Sequence, residues 1–366
     1  MEEDEIVNPN DVGTESFSQR GTIFPSGDTT INDIFREQGH GSFSALNTAA
    51  LWGVDHQGIS TYIDSPQEEY GIVLFTKPML NLSYNNILQD NRFVAMASDN
   101  ALSMPRIVKA MLDPVSQKVK RTSCPLIDPY SAFLPILSNT CTSLSGFPDI
   151  QMKSYESAPG KFSEVYIQPD GHAETMEDLS LTATFKEGPG GIVSELFFKW
   201  VTYMGLIREG KFRRRLGFIL DNKRDYDTRV YVLVLDRSKR YVLKLTCCGV
   251  MFPSSVPMGK DGDFVKEADG GIIEDSNTVS IQFKAMGACY RNPLWIAAFN
   301  RTVENMNPYM NVAYIKTYMK QIPHDQRNDF NKMGYPLIDI ATMELRWYVF
   351  KEDYEIGMNR RKRSGL

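Results

Sequence analysis

The chain has 366 residues, 42% of them hydrophobic and 23% charged, the balance of a folded protein rather than a disordered or fibrous one. Its richest apolar stretch, Ile192 to Ile207, is broken by Ser194, Glu195 and Lys199. It falls short of the ~18 to 20 uninterrupted apolar residues of a membrane span, which excludes a membrane protein. The net charge of −5 divides unevenly: two bases and thirteen acids give residues 1–70 a charge of −11, and 38 bases and 32 acids give the rest +6.

The start, Met1 followed by Glu2, Glu3, Asp4 and Glu5, is the reverse of a basic secretory leader, and five cysteines without metal-type spacing suggest reduced thiols in a cytoplasm. Residues 1–41 are rich in Asn, Asp, Gly, Ser and Thr without a sustained period, which predicts an extended acidic arm. Residues 42–150 give shorter signals: a strand at Gly71 to Thr76, a helix near Pro105 to Leu112 and an apolar patch from Ala132 to Leu137. Such a stretch reads as an irregular region wrapped over a better-formed body.

From residue 151 the chain reads as a β-rich domain reaching residue 366. Phe162 to Gln168, Leu179 to Phe185 and Thr278 to Lys284 alternate apolar with polar residues, the mark of strands with one wet face. Arg229 to Leu235 and Arg240 to Cys248 flank the polar turn Asp236 to Lys239 and predict a hairpin. Glu344 to Phe350 supplies a further strand. Adjacent Cys247 and Cys248 then point to opposite faces, one core and one surface.

Helical spacing appears in residues 191–208, where Leu196, Trp200 and Met204 at i, i+4, i+8 form the candidate core stripe. Pro293 to Glu304 and Pro308 to Lys320 read as two more helices within residues 293–320, each opened by a proline. The fold class is α+β: an antiparallel β-sandwich or barrel core with an inserted amphipathic helix, plus the extended arm.

Chemistry is sparsely signalled. His40, His56, His172 and His324 lack partners at ligand spacing, no nucleophile elbow, phosphate loop or dinucleotide fingerprint occurs, and neither a cofactor nor a metal is expected. Gly188 to Gly191 precedes a helix, where free N–H groups suit an anion, although a plain strand-to-helix turn has the same composition. The acidic loop Asp261, Asp263, Glu267, Asp269 lacks the order of a calcium loop. Basic charge gathers at Arg213, Arg214 and Arg215, beside an apolar strand at Leu216 to Leu220, and again at the end, with Arg360 and Arg361. Opposite charge on one chain suits docking between subunits, with Glu2 to Glu5 as the acidic partner.

The run Gly146 to Asp149, then Tyr155 to Tyr166, Asp178 to Phe185, Asp225 to Asp236, Cys248 to Gly259 and Val279 to Gly287 resembles structural virion proteins of contractile-tailed, large-genome bacteriophages, of the tail-tube or baseplate-tube type. The resemblance covers about residues 145–300. It implies a β-barrel or sandwich with a flanking helix, repeated around a homo-oligomeric ring whose lumen passes the genome DNA without specific binding. The expected protein is a non-enzymatic virion subunit, assembled in the host cytoplasm beside neighbouring tail and baseplate proteins. A nucleic-acid-binding accessory protein, using Arg213 to Arg215 and the terminal basic run, and an enzyme with an undetected carboxylate pair are the alternatives.

Overall fold

The computed structural model describes residues 69–118, 123–150, 152, 154–170, 178–188, 190–221, 223–259, 278–330 and 334–364. In chain order the elements are β1 (Tyr70–Phe75), α1 (Met104–Leu112), α2 (Pro135–Thr140), β2 (Cys141–Ser145), β3 (Ser154–Glu156), β4 (Ile167–Pro169) and β5 (Asp178–Lys186). There follow α3 (Ile192–Arg208), α4 (Leu216–Leu220), β6 (Thr228–Leu235), β7 (Val242–Ser255), β8 (Thr278–Tyr290) and α5 (Leu294–Met306). The chain closes with α6 (Val312–Tyr318), β9 (Met319–Ile322), β10 (Tyr335–Ile338), β11 (Leu345–Phe350) and α7 (Lys351–Ser364).

Six strands form one antiparallel, nearly closed barrel-like sheet in the order β1-β6-β7-β8-β5-β2. The residues before position 151 therefore supply both of its outer strands. Along β5 and β8 the alternation behaves as a period of two requires: Leu181, Ala183, Phe185, Ile281 and Phe283 are buried, while Ser280, Gln282 and Lys284 face outward. Along β6 and β7 it does not. Tyr231 and Leu233 sit in one core and Val230 in the other, and adjacent Cys247 and Cys248 are both buried. The expectation of one core and one surface cysteine fails here because this half of the sheet is covered on both faces.

The first covering layer is α3. Leu196 and Trp200 are fully buried, but Met204 is only partly so, since i, i+4 steps drift around a 3.6-residue helix and Phe197, Tyr203 and Leu206 take the remaining inward positions. Trp200 stacks on Phe197 with centroids 6.0 Å apart and donates from Nε1 to the Tyr226 carbonyl at 2.9 Å. The opposite face is covered by α5, through Ile296, Phe299 and Val303, and by the three-stranded sheet β10-β11-β9.

Three local readings differ from the structure. Phe162 to Gln168 is a turn followed by irregular chain, and only Ile167–Pro169 is strand, with Val165 and Ile167 exposed. Pro308 to Lys320 is a short 3-10 turn at Pro308–Met310, then α6, capped by the Asn311 side chain, and then β9, because Asn311 restarts the helix and Met319 is extended. Leu216 to Leu220, which sequence reading takes as an apolar strand, is the short helix α4, with Leu216 and Leu220 exposed and without a sheet neighbour.

The segment from Lys77 to Gln117 is tied to the body by buried polar groups. Asp113 is completely buried; its carboxylate accepts from the backbone N–H of Leu82 (3.1 Å) and Ser116 (3.0 Å) and from the guanidinium of Arg215. Nearby, the Tyr203 hydroxyl accepts from Asn81 N–H at 3.0 Å and donates to Asp225. Burial raises the pKa of both Tyr203 and Asp225.

Trp200→Ala is expected to cost ~3–5 kcal/mol of unfolding free energy, read by chemical denaturation, because it empties the centre of the α3 contact. Arg215→Gln strands the Asp113 carboxylate without its cation and is expected to cost ~3 kcal/mol. Arg213→Gln and Arg214→Gln should leave the denaturation midpoint nearly unchanged. Equal stability of the Arg215 variant would show that the pair is not structural.

Candidate assembly surface

The sheet has two outer strands, and its curvature brings them to one place. β1 and β2 border an open cavity of about 400 Å3, lined by Gly71, Val73, Cys141, Leu144, Phe147 and Tyr290. At one end the gap is bridged by the chain itself: Thr76 pairs with Phe133, and Leu134 N–H donates to the Phe75 carbonyl at 2.8 Å before α2 leads into β2. Beyond that bridge, neither outer strand has a second strand partner among the described residues. Unpaired strand edges of this kind are pairing surfaces for another chain.

Beyond β2 the chain makes a fixed exit. Gly146 holds φ +103°, and a Cβ there would lie 2.3 Å from the Ser180 carbonyl oxygen, so a side chain cannot be accommodated without moving β5. Phe147 then packs edge-on to Tyr290, whose hydroxyl donates to the Pro148 carbonyl. From this anchor the chain passes to a two-stranded hairpin, β3-β4, with Tyr155 paired to Gln168 and Glu156 to Ile167. Its turn is organised by Glu164, whose backbone carbonyl accepts from Gly160 (2.9 Å) and whose side chain accepts from Phe162 N–H (2.7 Å).

Every residue of both hairpin strands is exposed. Phe162 is 86% exposed, Tyr166 65% and Ile167 61%, with Tyr155, Val165, Ile150 and Met152 also uncovered. A two-stranded hairpin with neither face buried is marginal in water, and a cluster of large apolar side chains at the surface marks an interaction site. The alternation in this stretch was legible in sequence. That it serves an outer surface and not the core was not.

The charged candidates lie in several places. Arg215 is engaged with Asp113 inside its own subunit, and Arg214 donates to the Lys223 carbonyl at 3.3 Å. Arg213 is exposed, while its backbone carbonyl accepts from the side-chain amides of Asn81 and Asn86. Beside these arginines the exposed Leu216 and Leu220 of α4 form a second apolar knob. Arg360 and Arg361 lie in α7. Glu2, Glu3, Asp4 and Glu5, like His40, His56, His172 and the loop Asp261 to Asp269, lie outside the described residues.

At the start of α3 the donors that an anion would use are taken by the chain. The Glu187 carboxylate accepts from Val193 N–H (3.0 Å), Ser194 N–H (2.9 Å) and the Ser194 hydroxyl (2.7 Å). The turn before it thus builds an internal helix cap and not a ligand site. Among the described residues no group of three or more His, Cys, Asp or Glu is placed to hold a metal ion, and no helix is long and apolar enough to cross a membrane.

No curated protein matches the chain in sequence. Among solved structures, the tube terminating cap of the anti-feeding prophage aligns over 43% of this chain and 81% of its own, at 15% identity and a TM-score of 0.26. A PVC sheath-tube complex of an extracellular contractile injection system aligns over 43% and 82%, at 16% identity and a TM-score of 0.26. The PVC sheath/tube terminator aligns over 41% and 84%, at 13% and 0.22. Superpositions this partial carry no weight for fold or function. The family described as "Putative phage tail tube protein" matches residues 18–364, nearly the whole length. The chain belongs to that phage tail tube family and is a structural component of the tail, hence of the virion.

Proposed function

We propose that copies of this chain join head to tail into a closed ring of the tail tube, and that stacked rings form the conduit through which the genome passes. The observation that carries this reading is the β3-β4 hairpin, which exposes Tyr155, Phe162, Tyr166 and Ile167 on a projection fixed at its base by Gly146 and Phe147. A projection of one subunit that fits a different surface on the next makes a heterologous contact, and such contacts close into rings when the rotation permits. The unpaired edges of β1 and β2 supply a second surface of the same kind.

On this reading Arg213, Arg214, Arg360 and Arg361 meet the acidic Glu2 to Glu5 of neighbouring copies, and DNA passes without a specific grip. The open face of β5 and β8, carrying Ser180, Ser280, Gln282 and Lys284, is polar enough to remain in water. On the same reading the subunit is non-enzymatic and assembles in the host cytoplasm beside other tail and baseplate proteins.

The double variant Phe162→Glu with Tyr166→Glu tests the proposal, since both positions are exposed and the hairpin's backbone hydrogen bonds survive the change. Negative-stain images of the wild-type protein are expected to show rings or stacked tubes, and those of the variant single subunits with an unchanged melting temperature. Rings of normal number in the variant would show that the hairpin is not the joint.

A further inference from the structure

Where β11 passes the turn that follows β9 lies an open cavity of about 460 Å3, lined by Arg240, His324, Arg327, Glu344, Arg346 and Trp347, with Asp325 at its side. Two of its three cations are matched. Glu344 accepts from Arg240 at 2.5 Å and from Arg346 at 2.9 Å, and Arg346 also pairs with Asp339 at 2.6 Å. Arg327 is different. Its guanidinium lies over the Trp347 ring, 3.4 Å from the centroid, and its Nε is buried without a hydrogen-bond acceptor. Neither Asp325 nor any other described carboxylate forms an ion pair with it. Burial alone pushes the Arg327 pKa down to about 10.

A guanidinium partly withdrawn from water with no described counter-charge is costly, and a planar cation already stacked on an aromatic ring is pre-organised to receive a carboxylate side-on. A further source of carboxylates follows from where the described chain begins. Tyr70 pairs with Leu235, the last residue of β6, and Lys239 of the following turn lies 3.9 Å from the Tyr70 ring centroid. Glu69 is bound to Lys244 at 3.0 Å. The same turn carries Arg240, one wall of the cavity, and the Arg240 carbonyl accepts from Leu345 N–H at 2.8 Å, joining the turn to the strand that bears Trp347. The residues just before Glu69 include Asp64 and Glu68, and at ~3.5 Å per residue five residues reach ~17 Å.

We propose that the acidic stretch Asp64 to Glu68 of the same chain docks on this cavity, with a carboxylate against Arg327, and thereby clamps the base of the acidic amino-terminal arm to the β9-β11 sheet. One subunit suffices for this clamp, so it stands or falls apart from ring formation.

Hydrogen–deuterium exchange of the full chain, diluted until unassembled, tests it. Peptides covering residues 60–68 should be protected in the wild type and exchange about tenfold faster in Arg327→Gln, the factor expected for a lost charge-assisted hydrogen bond. The double variant Asp64→Asn with Glu68→Gln, which leaves the body untouched, should give the same gain. Exchange in these peptides that is identical in the wild type and both variants would overturn the proposal. Protection that appears only on assembly would also overturn it, and would assign the cavity to the arm of a second copy.

Discussion

Strands β6 and β7 are covered on both faces, and the rest of the molecule is arranged by that constraint. A half-buried strand needs an apolar residue at every second position, whereas a strand between two layers needs one nearly everywhere. The run Val230 to Leu235 and the paired Leu245 to Cys248 meet this demand, so α3 can pack on one side while α5 and the β9-β11 sheet pack on the other. Toward β8 and β5 no described element covers the second face, and alternation returns. The molecule thus has a doubly covered half and a half with an open polar face, and the outer strands β1 and β2 approach each other across the curve of the sheet.

The described residues between 69 and 150 are irregular because their order comes from polar anchors and edge pairing more than from long elements. Asp113 illustrates the cost and its compensation. A fully buried carboxylate is tolerated because two backbone donors and the Arg215 guanidinium surround it. The Tyr203 to Asp225 bond does similar work beneath α3. These anchors fix β1 and β2 at the margins of the sheet and leave the β3-β4 hairpin standing clear of it.

Much of the framework was legible in sequence where local pattern and tertiary environment agree. Period-two alternation placed β5 and β8, two β-branched runs around a polar turn placed β6 and β7, and helical spacing placed α3. Pattern misled where the environment differs from the usual one. Val165 and Ile167 alternate with polar residues yet face solvent, and Leu216 to Leu220 is apolar yet forms an exposed helical turn. Sequence could not show that Arg215 meets a carboxylate 102 residues away, or that Arg327 lies on Trp347 with no described carboxylate paired to it. Pairings of that kind are products of topology, and no spacing rule contains them.

The central claim is that the exposed hairpin is covered by a neighbouring copy in a ring. A cryo-EM reconstruction of assembled particles tests it most directly, because the surroundings of Phe162 and Tyr166 are then visible. The account predicts that both side chains are buried against the adjacent subunit. A hairpin projecting into open solvent, or a particle in which this chain occurs as a single copy, would contradict it.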